Sequence, residues 1–419
     1  VALQCFSFVG FAQNQPHTND SISKKDLDVY IQKRVEELLA TRQSTEKAVT
    51  EKKWYEVIGV RGYIQTRYNR LLETNDALGC EQCDKSWGRN GGFFIRRARI
   101  VFSGQISPTV FFSLQPDFAS SVFSDKVNFL QLRDAYMDIG LEKTNQFRVR
   151  IGQSKIPFGF ENLQSSQNRL PLDRNDGLNS AALNERDLGV FFYWASTKQR
   201  KLFSFLANAR LKGSGDYGVF AFGVYNGQNG NMPELNDKLY AVARLTWPFK
   251  IKEQIFETSV QAYSGKYVIP QVSTGVSTTN NNSYRDQRLA GSFIMYAQPF
   301  GFQAEYSIGN GPTFDKNTLS IRNKKQSGGY VQTMYRLDFG KHILFPFARY
   351  SYFDGGKKYE LDARSYQVND IDIGLEWQPY KQFELVAMYA ISKRRYEDFS
   401  KQNNLQQGRL LRLQAQLNF

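Results

Sequence analysis

Eight arginines occupy one recurring setting. Arg61, Arg67, Arg97, Arg99, Arg148, Arg150, Arg244 and Arg412 each share an alternate-residue face with polar neighbours, and the residues between are apolar. A guanidinium presents a planar fork of donors that takes two oxygens of a phosphate or carboxylate at once. Fixed along a narrow aqueous passage, such groups raise the local anion concentration and favour anion entry. Against lipid at midplane the same charge would cost ~2–4 kcal/mol, so the watered side is its default. The competing reading is wall structure, in which these arginines pair with Asp134, Asp138, Glu257, Glu305, Asp372 and Glu384. Arg133 falls out of phase, on the face of Ala135, Met137 and Ile139, which points to a subunit interface or the membrane edge.

Other chemistry is poorly supplied. Only two histidines occur, His17 in the N-terminal arm and His342 in a short turn, and neither sits as a base beside a nucleophile. Two histidines and three cysteines do not readily assemble a four-ligand zinc site, so no metal, cofactor or catalytic residue is expected. Cys80 and Cys83 form C-E-Q-C in a polar loop, a candidate disulfide with free thiols as the alternative. The net charge is +14, yet it is spread through strand-like segments without a dense basic cluster, which suits an anion pathway better than nucleic acid.

The segments that carry the arginines alternate with a period of two. From Leu411 the odd positions are Leu411, Leu413, Ala415, Leu417 and Phe419, and the even ones are Arg412, Gln414, Gln416 and Asn418. That is a strand with one face in an apolar medium and one in water. The chain then ends on an aromatic residue, as a closing strand does when it reaches the interfacial girdle of a transmembrane barrel. The same pattern recurs from Trp54 onward. On the first strand Ile58, Val60, Gly62, Ile64 and Tyr68 oppose Arg61, Tyr63, Gln65 and Arg67. The tally is about sixteen strands, an even number within the range of bacterial outer-membrane barrels. A mean hydropathy of −0.50 beside 33 Phe and 23 Tyr fits a chain that coats a membrane by alternation, with no run long enough for a spanning helix. The expected fold class is therefore an all-β transmembrane antiparallel barrel.

Connections alternate too. Gly104–Pro108, Glu142–Gln146, Pro299–Gly301, Phe339–His342 and Pro379–Gln382 read as short turns. Asn226–Asp237, Lys266–Arg288, Asn310–Gly329, Asp354–Asp370 and Lys393–Gln407 read as long polar loops. Thr197–Asp216 breaks the rule, and implies an extra hairpin or one miscounted strand. Strand phase is unassigned at Leu188–Trp194 and Leu289–Gln298. Residues 1–12 read as the end of a secretory signal peptide, with a lipoprotein site at Cys5 as the rival. Residues 13–53 read as a periplasmic helical arm over Ser23–Lys53, and residues 54–419 as the barrel.

The insertion Gly152–Asp187 follows the fifth strand. A barrel of about sixteen strands leaves an aqueous lumen, and a loop folded into it would narrow the passage. Lys155, Phe158, Glu161, Arg169, Arg174 and Arg186 are the candidates for such a constriction. The stretch G-Q-S-K-I-P-F-G-F-E at 152–161, with L-Q-S-S after it, resembles the start of the third loop of the phosphate-selective porin O/P family. L-R-D-A-Y at 132–136 resembles that family's fourth strand. The resemblance implies a trimeric channel of the bacterial outer membrane with its third loop in each lumen, among lipid and lipopolysaccharide. It also implies a basic ladder that attracts phosphate or polyphosphate; no single strand here holds a comparable tight arginine row. The expected function is passive diffusion of small anions. The alternative is a structural or adhesive barrel with a plugged lumen.

Overall fold

The structure, a computed structural model, describes residues 28–38, 54–79, 92–119 and 128–419. The expected signal segment, Cys5, Cys80 and Cys83 lie outside the described residues. The chain divides into two units, Val1–Tyr55 and Glu56–Phe419. In the first, residues 28–38 form a helix, α1, whose Ile31, Val35 and Leu38 are exposed. Arg34 and Glu37 bridge at 2.9 Å on its surface.

The second unit is one closed antiparallel sheet. Its first half comprises β1 (Gly59–Glu73), β2 (Phe93–Ser107), β3 (Val110–Asp117), β4 (Gln131–Gly140), β5 (Phe147–Lys155), β6 (Arg186–Trp194), β7 (Phe220–Tyr225) and β8 (Tyr240–Ile251). The second half comprises β9 (Gln254–Val268), β10 (Ser283–Met295), β11 (Phe300–Asp315), β12 (Ser320–Tyr335), β13 (Leu337–Phe339), β14 (His342–Gly356), β15 (Ser365–Tyr380), β16 (Phe383–Glu397) and β17 (Leu405–Asn418). Apart from β12 and β13, which share one partner, each strand pairs with the next, and β17 returns to β1. β12 and β13 both pair with β14 and are one stave interrupted at Arg336, so the seventeen strands make sixteen staves.

Alternation decides which face meets which medium. On β9, Val260 is 58% exposed while Ser259 and Gln261 are 6% and 1%. Val60 and Ile64 on β1, Leu245 and Trp247 on β8, and Ile371, Ile373 and Leu375 on β15 likewise face outward. Exposed aromatics collect near the turn end: Trp247, Phe300, Phe339, Trp377, Tyr380 and Phe419. His342, in its short turn, stacks between Phe339 and Trp377 at 5.2 and 5.9 Å. Such a ring of amphipathic and apolar rings is what a membrane interface favours.

The seam is fastened by the last residue. Gly62 and Phe419 exchange backbone hydrogen bonds of 2.8 and 3.0 Å. A Cβ on Gly62 would lie 2.4 Å from the Arg99 carbonyl oxygen and 2.5 Å from the Phe419 ring, so glycine is needed there.

Several expectations are corrected. β9, β10, β11 and β12 run well past the ends read from the alternation. The β11–β12 connection is only residues 316–319, not Asn310–Gly329, and the β14–β15 and β16–β17 loops shrink to residues 357–364 and 398–404. At these loop ends the strand signal fades, yet backbone pairing continues. Thr197–Asp216 holds a helix, α4 (Thr197–Asn208), not a hairpin. Ser196 caps it by accepting from the Gln199 N–H, and Phe203 and Leu206 bury one face. Of the arm expected over Ser23–Lys53, residues 28–38 are helical, and the remainder lies outside the described residues.

The outward apolar face supports a direct check. Ile373→Arg, near the middle of the β15 outer face, should lower barrel stability by ~2–4 kcal/mol, because the charge would sit in hydrocarbon. Urea unfolding in phospholipid vesicles measures it.

Candidate functional site

Seven of the eight arginines lie buried on the inner face: Arg67, Arg97, Arg99, Arg148, Arg150, Arg244 and Arg412. Arg61 is exposed at the turn end. Several serve the wall. Arg150 grips Asp138 with two hydrogen bonds of 2.7 and 2.8 Å and lies 3.8 Å from the Tyr136 ring centroid. Arg99 pairs with Asp117 at 2.7 Å, Arg148 with Asp216 at 2.8 Å, and Arg244 with Glu257 at 3.5 Å. Arg97 donates to the Gln65 side chain at 2.7 Å. Of the other expected acids, Asp134 pairs with Arg186 and Asp372 with Arg349. Glu305 receives backbone N–H groups, and Glu384 lies 4.0 Å from Lys212.

Arg133 is a correction. It is buried, 3.6 Å from Asp117, rather than outward. The β3–β4 register skips it between Leu132 and Asp134, a bulge that turns its side chain inward. The unassigned phases also resolve: Phe191 and Tyr193 on β6 point inward, as do Asp286, Arg288, Ala290, Ser292 and Ile294 on β10.

The third loop, L3 (residues 156–185), folds into the barrel. Ile156, Phe158, Leu178, Ala181 and Ala182 bury themselves among Tyr193, Tyr225, Tyr240, Tyr263 and Tyr267 of the β6–β9 inner wall. Phe158 meets Tyr263 edge-on at 4.9 Å, so its ring seats the loop on the wall. A short helix, α2 (Phe160–Leu163), presents the N–H groups of Phe160 and Glu161 to the Glu305 carboxylate at 2.6 and 2.8 Å. A second, α3 (Asp176–Asn179), brings Gly177 so close to β12 that a Cβ would lie 2.3 Å from the Gly328 carbonyl carbon. Arg288 donates to the Gly177 carbonyl and Ser180 hydroxyl at 3.1 and 2.7 Å.

Ion pairs carry L3 across to the far wall. Glu161 meets Arg349 of β14 at 2.8 Å. Asp176 meets Lys357 and Arg394 at 2.8 and 3.0 Å. Asp173 bridges Arg67 of β1 and Arg412 of β17 at 3.2 and 2.6 Å, which places L3 at the barrel seam. Within the loop base, Arg174 pairs with Glu185 at 2.9 Å, and Lys155 donates to the Leu163 and Gln164 carbonyls at 2.7 and 2.8 Å. Arg169 is buried near Leu172. Burial would raise the Glu185 carboxyl, but Arg174, Arg186 and Arg133 hold it below the usual carboxylate range. Burial acts on Asp176 likewise, and Lys357 and Arg394 outweigh it.

What remains open lies along the β1–β5 wall. A cavity of 430 Å³ is lined by that wall, by Ser165, Gln167 and Asn168 of L3, and by Ala207 to Tyr217 of the β6–β7 connection. Its basic groups are Arg61, Arg99, Arg150, Lys155, Arg186, Arg210 and Lys381, against the acids Asp134 and Glu384. Arg61, Lys155, Arg210 and Lys381 have no carboxylate within ion-pair distance among the described residues. Arg67, Arg97, Arg244 and Arg412 do not line it. Sequence reasoning missed Arg210 and Lys381 because both fall outside the alternating strands, and missed Arg288, Arg349 and Arg394, although Arg349 and Arg394 alternate with the outward Tyr350 and Lys393.

Removing the Asp176 carboxylate tests the fastening. Asp176→Ala would leave Lys357 and Arg394 buried with one counter-charge fewer, and should cost about 3 kcal/mol, read by denaturant unfolding in detergent and by proteolysis within residues 156–185. The pH dependence has a definite sign. A depressed carboxyl stabilises fully above its unfolded value, and the contribution is lost as pH falls through the folded one. L3 should therefore stay protease-resistant down to the ordinary aspartate value of 3.8 and open only below it.

Residues 74–419 match the family of phosphate-selective porin O and P. The barrel superposes on the outer membrane channel DcaP of Acinetobacter baumannii with a TM-score of 0.54 at 15% identity, over 86% of this chain and 97% of that one. Salmonella typhi OmpF in complex with daunomycin gives 0.52 at 12% identity, over 86% and 97%. An anion-selective porin from Comamonas acidovorans gives 0.51 at 10% identity, over 86% and 99%. At such identities the likeness shows the fold. No curated protein matches the chain in sequence. With the family match spanning most of a closed sixteen-stave barrel, the chain belongs to the phosphate-selective porin O and P family and is a channel of the outer membrane, not an enzyme.

Proposed function

We propose that the channel passes small anions by passive diffusion along the β1–β5 side of the lumen. The observation that carries this is the cavity lining: Arg61, Lys155, Arg210 and Lys381 face it without a carboxylate partner among the described residues. Basic groups already paired, such as Arg150 with Asp138, contribute little net field. Unpaired ones in a low-dielectric constriction raise the local anion concentration. Phosphate or polyphosphate is the finer form of the proposal, supported by the family and by the capacity of arginine forks for oxyanions. A homotrimer is proposed on the family resemblance, and chemical cross-linking in detergent checks it.

A second reading is favoured by one feature. L3 and α4 together fill much of the lumen, which suits a structural or adhesive barrel with a plugged passage. Conductance separates the two.

In planar bilayers under a potassium chloride gradient, the reversal potential should report anion preference. Arg61→Glu with Lys381→Glu should move it toward cations. Millimolar phosphate should block chloride current if phosphate is preferred; unblocked chloride current would leave a general anion pore. Cation preference, or silence, would refute the anion channel.

A further inference from the structure

Resting on the anion-channel reading, we infer that the β6–β7 connection is a second constriction, in series with L3, and that Asn208 helps set which ions pass. Among the described turn-side connections it alone is long, spanning residues 195–219. Its helix begins at one side of the mouth. Arg200 donates to the Asn145 carbonyl in the β4–β5 turn at 2.9 Å and pairs with Asp216, also at 2.9 Å.

The C-terminal end of the helix reaches the opposite side. The Ala209 carbonyl accepts from Arg336 at 3.2 Å, at the β12–β13 break. Arg210 donates to Gln378 at 3.3 Å, and Lys212 pairs with Glu376 at 2.5 Å, both on β15. In a ring of sixteen staves the β4–β5 turn and β15 stand nearly opposite. A helix of 12 residues is about 18 Å long, enough to cross most of that mouth.

The crossing is seated. Leu206 and Leu211 are buried with Phe160 of α2 and with Ile255, Ile294 and Tyr296 of the wall, so α4 stacks against L3. The cavity of 430 Å³ and a second of 480 Å³ toward the turns share Tyr136, Arg150 and Arg61 on the wall, and Ala207, Asn208 and Gly215 on the segment. An ion moving between the two cavities passes between these groups. Asn208 is exposed there. In a series of constrictions the tightest one limits current, and a fixed charge at it biases the ion sign.

The test uses the full chain in planar bilayers. Asn208→Trp should lower single-channel conductance at least about twofold, whereas Lys201→Trp, exposed and lining neither cavity, should leave it unchanged. Asn208→Asp and Asn208→Lys should shift the anion/cation permeability ratio down and up respectively. Parent-like conductance in Asn208→Trp, with no opposed shift in the charge pair, would overturn the second constriction while an anion-selective parent leaves the channel reading intact. A cation-selective parent sinks the anion preference instead, whichever way Asn208 behaves. A silent parent refutes the anion channel, and the inference that rests on it falls with it.

Discussion

Hydrocarbon offers a backbone no hydrogen-bond partner, and this constraint shapes the whole molecule. A sheet in that medium can have no edge, so β17 must meet β1. The Gly62–Phe419 exchange of backbone hydrogen bonds lies at that join, and the glycine there leaves room for the terminal ring. Once the sheet closes, every strand has one face in lipid and one in the enclosed space. Charge then has a single low-cost direction, and arginines from strands far apart in sequence converge on one lumen.

Convergence creates a second problem. Guanidinium groups facing one another in a confined space repel, and each loses hydration. The structure answers with carboxylates of the wall itself, such as Asp138 and Asp117, and with others from L3. Asp173 links both strands of the seam, Asp176 joins Lys357 to Arg394, and Glu161 holds Arg349. The loop thus offsets the charge of the wall it crosses. Opposite, its apolar residues sit on the tyrosine-lined β6–β9 surface. Open volume is left on the β1–β5 side, where basic groups outnumber acidic ones. Asymmetry of the lumen therefore follows from where L3 finds apolar and anionic contact.

The mismatches between expectation and structure share a cause. Alternation reports a difference between two media, and it fails wherever that difference vanishes. On β6, Phe191 and Tyr193 face L3 and not water, so both faces of the strand read as apolar. At the outer ends of β11 and β12 the clear alternation is lost, so paired strand reads as loop. At Arg133 a bulge reverses the phase locally, and no composition signal marks it. α4 has ordinary helical features, a serine cap and spaced apolar residues, but they are masked by the expectation of a tight turn.

From its order of residues alone, the chain determined a closed barrel, the inner placement of Arg67, Arg97, Arg99, Arg148, Arg150, Arg244 and Arg412, and the inserted loop after β5. These are local properties, because a period of two and an interruption of it can be seen within a dozen neighbours. Which arginines are neutralised, which cations stay open to the passage, and where α4 lies were decided only in three dimensions. Asp173 and Arg412 are distant in sequence, as are Arg200 and Asn145. Their pairing depends on barrel closure, which brings remote staves around a common axis and lets Coulomb attraction, falling with distance, select partners that no stretch of sequence displays.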